Sequence, residues 1–209
     1  MKYKLVIFDF DGTLADSFPW LISVTDQVAD RYKFKRLDKS QIETLRGEDV
    51  RKLIKDYHVP FWRIPLIGKH LRELMHENIQ HIQMFDGIPA LLQALAHQGA
   101  VLAVLSSNSY QNIQQVLGPE ISVLISYFEC GVSIFGKPAK IKKILKKSGF
   151  NPEQAIFIGD ETRDLDAARA IPIASGAVAW GFARFEALQA LSPNELFANV
   201  AEILEKIGG

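Results

Sequence analysis

The sequence predicts a doubly wound α/β fold, a parallel sheet with helices on both faces, and three observations carry that prediction. Short apolar runs recur along the chain, helical patterns separate them, and each of the first three ends in a polar cluster. These three, Leu5–Phe8, Val101–Leu105 and Ala155–Ile158, are almost continuously apolar, as strands covered on both faces must be. Further runs lie at Ala177–Trp180 and near Tyr127–Val132.

After the first strand the rhythm breaks. From Asp16 to Met84 the pattern is helical, with candidates at Leu21–Tyr32, Ser40–Leu45, Glu48–Tyr57 and Ile67–Ile82, and Pro60 and Pro65 bracket a loop. No sheet strand is visible there, so residues 16–84 read as a helical insertion. Residues 1–15 and 85–209 read as the α/β core. In that core, Ile88–His97 carries Ile88, Leu91, Leu92 and Leu95 on one face and is closed by Gly99. Ile141–Lys147 ends at Gly149. A final helix is expected over Glu195–Ile207, with Leu196, Val200, Ile203, Leu204 and Ile207 on one face before Gly208.

With 209 residues the chain is long enough to bury a substantial core. Apolar residues make up 48% and the formal net charge is zero, which argues against a general nucleic-acid binder. The N-terminus reads as a strand broken by Asp9 rather than as a signal peptide, and no apolar stretch is long enough to span a bilayer. A single cysteine, Cys130, excludes an intrachain disulfide and fits a reducing compartment such as the cytoplasm. Its apolar neighbourhood marks it as a core thiol, and the five histidines show no metal-ligand spacing.

In open α/β sheets ligands bind at the carboxyl ends of the strands. Asp9-Phe10-Asp11-Gly12-Thr13 follows the first strand, Ser106-Ser107-Asn108-Ser109 the second and Gly159-Asp160-Glu161-Thr162-Arg163-Asp164 the third. Phe135-Gly136-Lys137-Pro138 stands ahead of the Ile141 helix. Strand alternation places Asp9 and Asp11 on one side, a costly pairing of like charges unless a cation sits between them. Acids from two strand ends suit magnesium, which takes few carboxylates and keeps water and phosphate oxygens as its other ligands. Ser106, Lys137 and the turn amides of Asp11 to Thr13 supply donors for a phosphoryl group. Asp9 is then a candidate nucleophile and Asp11 a candidate acid and base.

The set IFDFDGTLADS, LAVLSSN, GKP and IGDETRDLDAARA, in that order, resembles the haloacid dehalogenase-like hydrolase superfamily, in the branch holding phosphoglycolate phosphatases and β-phosphoglucomutase. The resemblance covers Met1 to Ala15 and Asp86 to Phe182 and implies a Rossmann-like core with a helical cap. Carried over by position, Asp9 is nucleophile and metal ligand, and Asp11 is the general acid and base whose backbone carbonyl also meets the metal. Thr13, Ser106 and Lys137 hold the phosphoryl group, Ser107 being the one-residue alternative to Ser106. Asp160 is the remaining metal ligand. Asp164 orients Lys137 or a water on the metal, and Glu161 faces solvent or lies beside the ligands.

The insertion stands where the family carries its cap, and Leu45-Arg46-Gly47 resembles the cap loop that reaches toward substrate, with Lys69 a weaker candidate. Trp180-Gly181-Phe182 reads as core packing followed by a loop. An aspartate at position 11 favours phosphate esters over the dehalogenase and phosphonatase chemistries. Trp20-Leu21-Ile22 stands where the mutase branch carries a histidine, which disfavours a β-phosphoglucomutase-like reaction. The expectation is a magnesium-dependent phosphatase acting on a small phosphorylated metabolite such as phosphoglycolate, as a monomer or homodimer, with no nucleic-acid or membrane partner. A catalytically silent binding module is the alternative.

Overall fold

The computed structural model describes residues 1–131, 133 and 136–208. Its centre is a six-stranded sheet formed by β1 (Leu5–Phe8), β2 (Val101–Leu105), β3 (Ile125–Glu129), β4 (Ala155–Gly159), β5 (Ala174–Val178) and β6 (Glu195–Phe197). Every pairing is parallel and the order is β3-β2-β1-β4-β5-β6. The helices are α1 (Phe18–Tyr32), α2 (Ile42–Leu45), α3 (Val50–Asp56), α4 (Ile64–Glu77), α5 (Ile88–His97), α6 (Tyr110–Ser122), α7 (Lys137–Ser148), α8 (Thr162–Arg169), α9 (Phe185–Gln189) and α10 (Ala201–Ile203).

Alternation along β1 splits the core in two. Val6 and Phe8 pack with Ile88, Leu92 and Leu95 of α5 and Ile113 and Leu117 of α6. Leu5 and Ile7 face Ile141 and Ile144 of α7 and Ala167 and Ala168 of α8. All four β1 side chains are fully buried, which explains an unbroken apolar run where a half-exposed strand would alternate.

The helical segment has a small core of its own, Val24, Val28 and Tyr32 of α1 against Ile67 and Leu74 of α4. The chain enters and leaves it through adjacent strands of backbone. Asp16 donates its N–H to Gln83 O at 2.8 Å, and Phe85 donates to Leu14 O at 3.0 Å.

Several boundaries differ from the sequence expectation. Helices α1 and α4 begin three residues early because Pro19 and Pro65 occupy their first turns, where proline costs no hydrogen bond, so Pro65 opens a helix instead of closing a loop. The run expected near Tyr127–Val132 is β3, two residues earlier, and Val132 lies outside the described residues, as does Phe135. β5 occupies Ala174–Val178 instead of Ala177–Trp180. Its small Ala-Ser-Gly start carries no apolar signal, yet Gly176 is packed so closely that an added Cβ would lie 2.9 Å from the Phe197 ring. The expected Glu195–Ile207 helix is a correction. Its first three residues form β6 on the sheet edge, and only Ala201 to Gly208 is helical, with Ile203 and Ile207 buried. Three-residue strands are too short to show a period of two. Helix α6 escapes the periodicity because Gly118-Pro119 interrupts it, Gly118 having φ 67° and ψ 170°.

Candidate active site

The strand order reverses at β1, between β2 and β4, the place at the carboxyl ends where open α/β sheets bind ligands. Asp9 is the first residue past β1. Its N–H still bonds to Ile158 O of β4 at 2.8 Å, so the sheet holds the backbone while the side chain reaches the edge. Asp9 Oδ1 accepts from Phe10 N at 2.8 Å, and Oδ2 accepts from Lys137 Nζ at 2.6 Å. Lys137, in the first turn of α7, also donates to Asp164 Oδ1. Asp164 Oδ2 accepts from Glu161 N at 3.1 Å, half of a reciprocal cap at the start of α8.

Asp160 follows β4 directly. Its Oδ1 accepts from the Thr13 hydroxyl at 2.7 Å and its Oδ2 from Phe182 N at 2.8 Å. Carboxylate oxygens of Asp9, Asp160 and Asp164 all lie within 4.8 Å of one another, and all three residues are buried. Gly12 lets the chain pass beside them. Its φ is +79°, and an added Cβ would fall 2.2 Å from Asp160 Oδ2.

Asp9 and Asp11 have different hydrogen-bond partners. The chain turns at Gly12, and Asp11 swings toward α6 and the start of α1, where its Oδ1 accepts from Ser17 Oγ at 2.9 Å. Asn108 Nδ2 lies 3.2 Å from both Asp11 oxygens, and Ser106 Oγ is 3.5 Å from Oδ2. The Asp11 carboxylate is not among the three that lie within 4.8 Å of one another. The turn amides are also spent locally: Gly12 N donates to Ala15 O at 2.9 Å and Thr13 N to Phe10 O at 3.3 Å. Thr13 therefore braces Asp160 with its hydroxyl.

Of the two serines, Ser106 is fully buried beside Asp11. Ser107 is half-buried and offers its carbonyl to Arg72 Nη1 of α4 at 3.2 Å. Glu161 pairs with Arg163, whose charge also reaches Asp9 and Asp164. Arg46 lies over the loop after β5, donating to Phe182 O at 3.0 Å and Gly181 O at 2.7 Å, and a Cβ added at Gly47 would lie 3.5 Å from Arg184 Cδ. Lys69 is far more exposed and pairs with Glu73. Sequence reasoning did not single out Asn108, Ser17 or Arg163. Asn108 was within the SSNS cluster, two residues from Ser106, but a lone amide carries no pattern that marks it.

Burial dominates the electrostatics. It pushes the Asp9 carboxyl up to about 7, with Lys137 pulling it down and Asp164 raising it further. Burial likewise raises Asp11, against hydrogen bonds from Ser17 and Asn108, and raises Asp160 well above the usual range, with Glu161, Asp9 and Asp164 adding to the effect. Lys137 is held charged, because Asp164 and Asp9 outweigh a burial that would discharge it. A dry cluster of carboxylates reluctant to ionise is a site short of positive charge, and its all-oxygen donor set fits a hard divalent cation.

Residues 6–178 match the profile of the haloacid dehalogenase-like hydrolases. A phosphoglycolate phosphatase from Synechococcus elongatus is 29% identical over 205 residues, 98% of this chain and 97% of its own. An N-acetylmuramic acid 6-phosphate phosphatase from Pseudomonas aeruginosa is 24% identical over 190 residues, 87% of this chain and 84% of its own. A haloacid dehalogenase-like family hydrolase from Streptococcus pneumoniae superposes with a TM-score of 0.78 at 22% identity, covering 98% of each chain.

Proposed function

The chain belongs to the haloacid dehalogenase-like hydrolases, and from that premise we propose that it is a magnesium-dependent phosphatase, hydrolysing a small-metabolite phosphate monoester through an aspartyl-phosphate on Asp9. One observation carries the proposal: a buried carboxylate 2.6 Å from a buried ammonium, at a strand end where two further carboxylates converge within 4.8 Å.

Asp9 and Asp160 would hold the metal, with the Asp11 carbonyl, and Asp164 lies within reach of the same position. When bound, magnesium supplies the positive charge that neutralises these acids and the phosphoryl oxygens. Lys137 and the Ser106 hydroxyl bind and orient the phosphoryl group. An Asp9 carboxylate oxygen attacks phosphorus as the ester P–O bond breaks, and Asp11 gives its proton to the departing alkoxide oxygen. Asp11, now a carboxylate, takes a proton from the attacking water. That water's oxygen bonds to phosphorus, the Asp9–phosphorus bond breaks, and phosphate and alcohol are the net products. Burial raises the Asp11 pKa, the direction a general acid needs.

We place the core at residues 1–15 and 85–209 and a cap at 16–84. The side-by-side crossings at Asp16–Gln83 and Leu14–Phe85 support a hinge there. The likeness to phosphoglycolate phosphatases over nearly the whole of both chains makes a compact anionic phosphate such as phosphoglycolate the leading substrate. No helix among the described residues is long and apolar enough to cross a membrane.

The test is phosphate release from a panel of phosphate esters with magnesium. Turnover of two- or three-carbon phosphates, abolished by a chelator, is expected. No turnover across the panel would favour a binding module.

A further inference from the structure

Arg46 stands out because its partners belong to the other end of the fold. All three guanidinium nitrogens are engaged: Nε with Phe182 O at 3.0 Å, Nη2 with Gly181 O at 2.7 Å and Nη1 with Glu43 Oε1 at 3.1 Å. Its own carbonyl accepts from Arg184 N at 2.8 Å. The guanidinium lies 5.1 Å over the Phe18 ring, and that ring sits 5.2 Å from the Phe182 ring. The helical segment therefore grips residues 181–184 by main-chain hydrogen bonds and an aromatic stack.

What that loop does is hold Asp160. One carboxylate oxygen is secured inside the core by Thr13, while the other depends on the Phe182 amide at 2.8 Å. The loop lies directly on the aspartate, since a Cβ at Gly181 would come 2.1 Å from Asp160 Cβ. If the loop lifts, the Phe182 amide leaves and Asp160 is free to rotate about its Thr13 contact.

We propose that Arg46 is a positioning residue for the metal site: by clamping the Gly181–Phe182 carbonyls it holds the amide that orients Asp160, so the helical segment and the metal favour each other's binding. This rests on the metal reading above and adds to it a coupling between segment closure and metal affinity. Linkage makes the coupling reciprocal: whatever closure contributes to metal affinity, the metal contributes to closure. It also gives Arg46 a task that does not require substrate.

The experiment is a calorimetric titration of the whole protein with Mg²⁺ alone, without any phosphate ester, on the unchanged chain and on Arg46→Ala, Arg46→Lys and Glu43→Gln. Hydrogen exchange is followed over residues 179–185. Arg46→Ala is expected to raise the Mg²⁺ dissociation constant about tenfold, within the usual range of coupling between sites. Arg46→Lys, which keeps the charge but cannot bridge two carbonyls, falls between. Glu43→Gln stays within about twofold, because Glu43 touches only Nη1, as in a modest exposed pair. Mg²⁺ should slow exchange at 179–185 in the unchanged chain and not in Arg46→Ala. Should Arg46→Ala prove unfolded, Arg46→Lys carries the same comparison. Unchanged Mg²⁺ affinity in both Arg46 variants would overturn the coupling and leave the phosphatase reading standing. Failure of the unchanged chain to bind Mg²⁺ would overturn the metal reading and the coupling with it.

Discussion

Lys137 Nζ lies 2.6 Å from Asp9 Oδ2, and both side chains are almost completely withdrawn from water. The same ammonium serves Asp164, so one positive charge is shared between two buried negative ones. With Asp160 the cluster holds a third buried carboxylate, so the site is short of positive charge, and Asp9, pushed up to about 7, is ready for a cation.

Replacing Lys137 by Met should destabilise the protein by about 3–5 kcal/mol, the usual loss when one partner of a buried ion pair is removed. Two carboxylates would then face each other without compensation. The deficit should grow between pH 5 and pH 8 as Asp9, which burial pushes up to about 7, ionises, and Mg²⁺ should recover more stability in the variant than in the parent. Urea unfolding at several pH values, with and without the metal, measures both effects.

Asp9→Asn keeps the shape of the nucleophile and removes its reactivity. Phosphate release should fall by at least about 10³-fold while the circular dichroism spectrum is unchanged. Residual activity within tenfold of the parent would remove Asp9 from covalent catalysis.

Asp11→Asn should slow both the departure of the alcohol and the breakdown of the phosphoenzyme, by about 10²–10⁴-fold for loss of a general acid and base. With an activated ester, whose leaving group needs no proton, acid-stable phosphoprotein should accumulate in quenched-flow samples. A steady-state rate equal to the parent's would remove Asp11 from its role.

Metal affinity should rise with pH. Burial holds the Asp9 carboxyl at about 7, so below that pH a proton occupies the oxygen the cation needs. The Mg²⁺ association constant should climb by about tenfold per pH unit from pH 5.5 toward pH 7. The sign for folding of the metal-free protein is opposite. A carboxylate whose pKa is raised on folding costs stability as pH rises from about 4 to 7, so this group makes the metal-free fold less stable at neutral pH than in mild acid. Titration calorimetry and thermal melts across this range check the pair.

Glu129, at the end of β3, is a contrasting acid. Burial alone would raise its pKa, but hydrogen bonds from Lys143, Lys140 and Lys147 of α7 outweigh burial and bring it down to about 2. A carboxylate depressed on folding contributes stability above its unfolded pKa, near 4.5, and loses it as pH falls toward 2. Glu129→Gln should lower the melting temperature at pH 7 and flatten the acid unfolding profile between pH 4.5 and 2.

The elements legible in the sequence were those buried on two faces or strongly amphipathic. Leu5–Phe8, Val101–Leu105 and Ile88–His97 stand as read because continuous burial or a clean apolar stripe leaves its mark on every residue. β6 and α6 were not legible, one too short to show a period and the other broken at Gly118-Pro119. β5 was displaced because its Ala174-Ser175-Gly176 start carries no apolar signal, Gly176 being held small by Phe197 of the neighbouring β6.

The candidate site divides along the same line. The sequence by itself determined the inventory of acids, hydroxyls and a lysine and their places after strand ends, since those places follow from the order of elements along the chain. Only the tertiary structure decided the partnerships. Asp11 meets Ser17 and Asn108, Gly12's positive φ lets the chain pass beside Asp160, Thr13 braces Asp160, and Arg46 closes over a loop 135 residues distant in sequence. Those contacts depend on backbone turns and on groups remote in sequence, and no local pattern of residues encodes such distances.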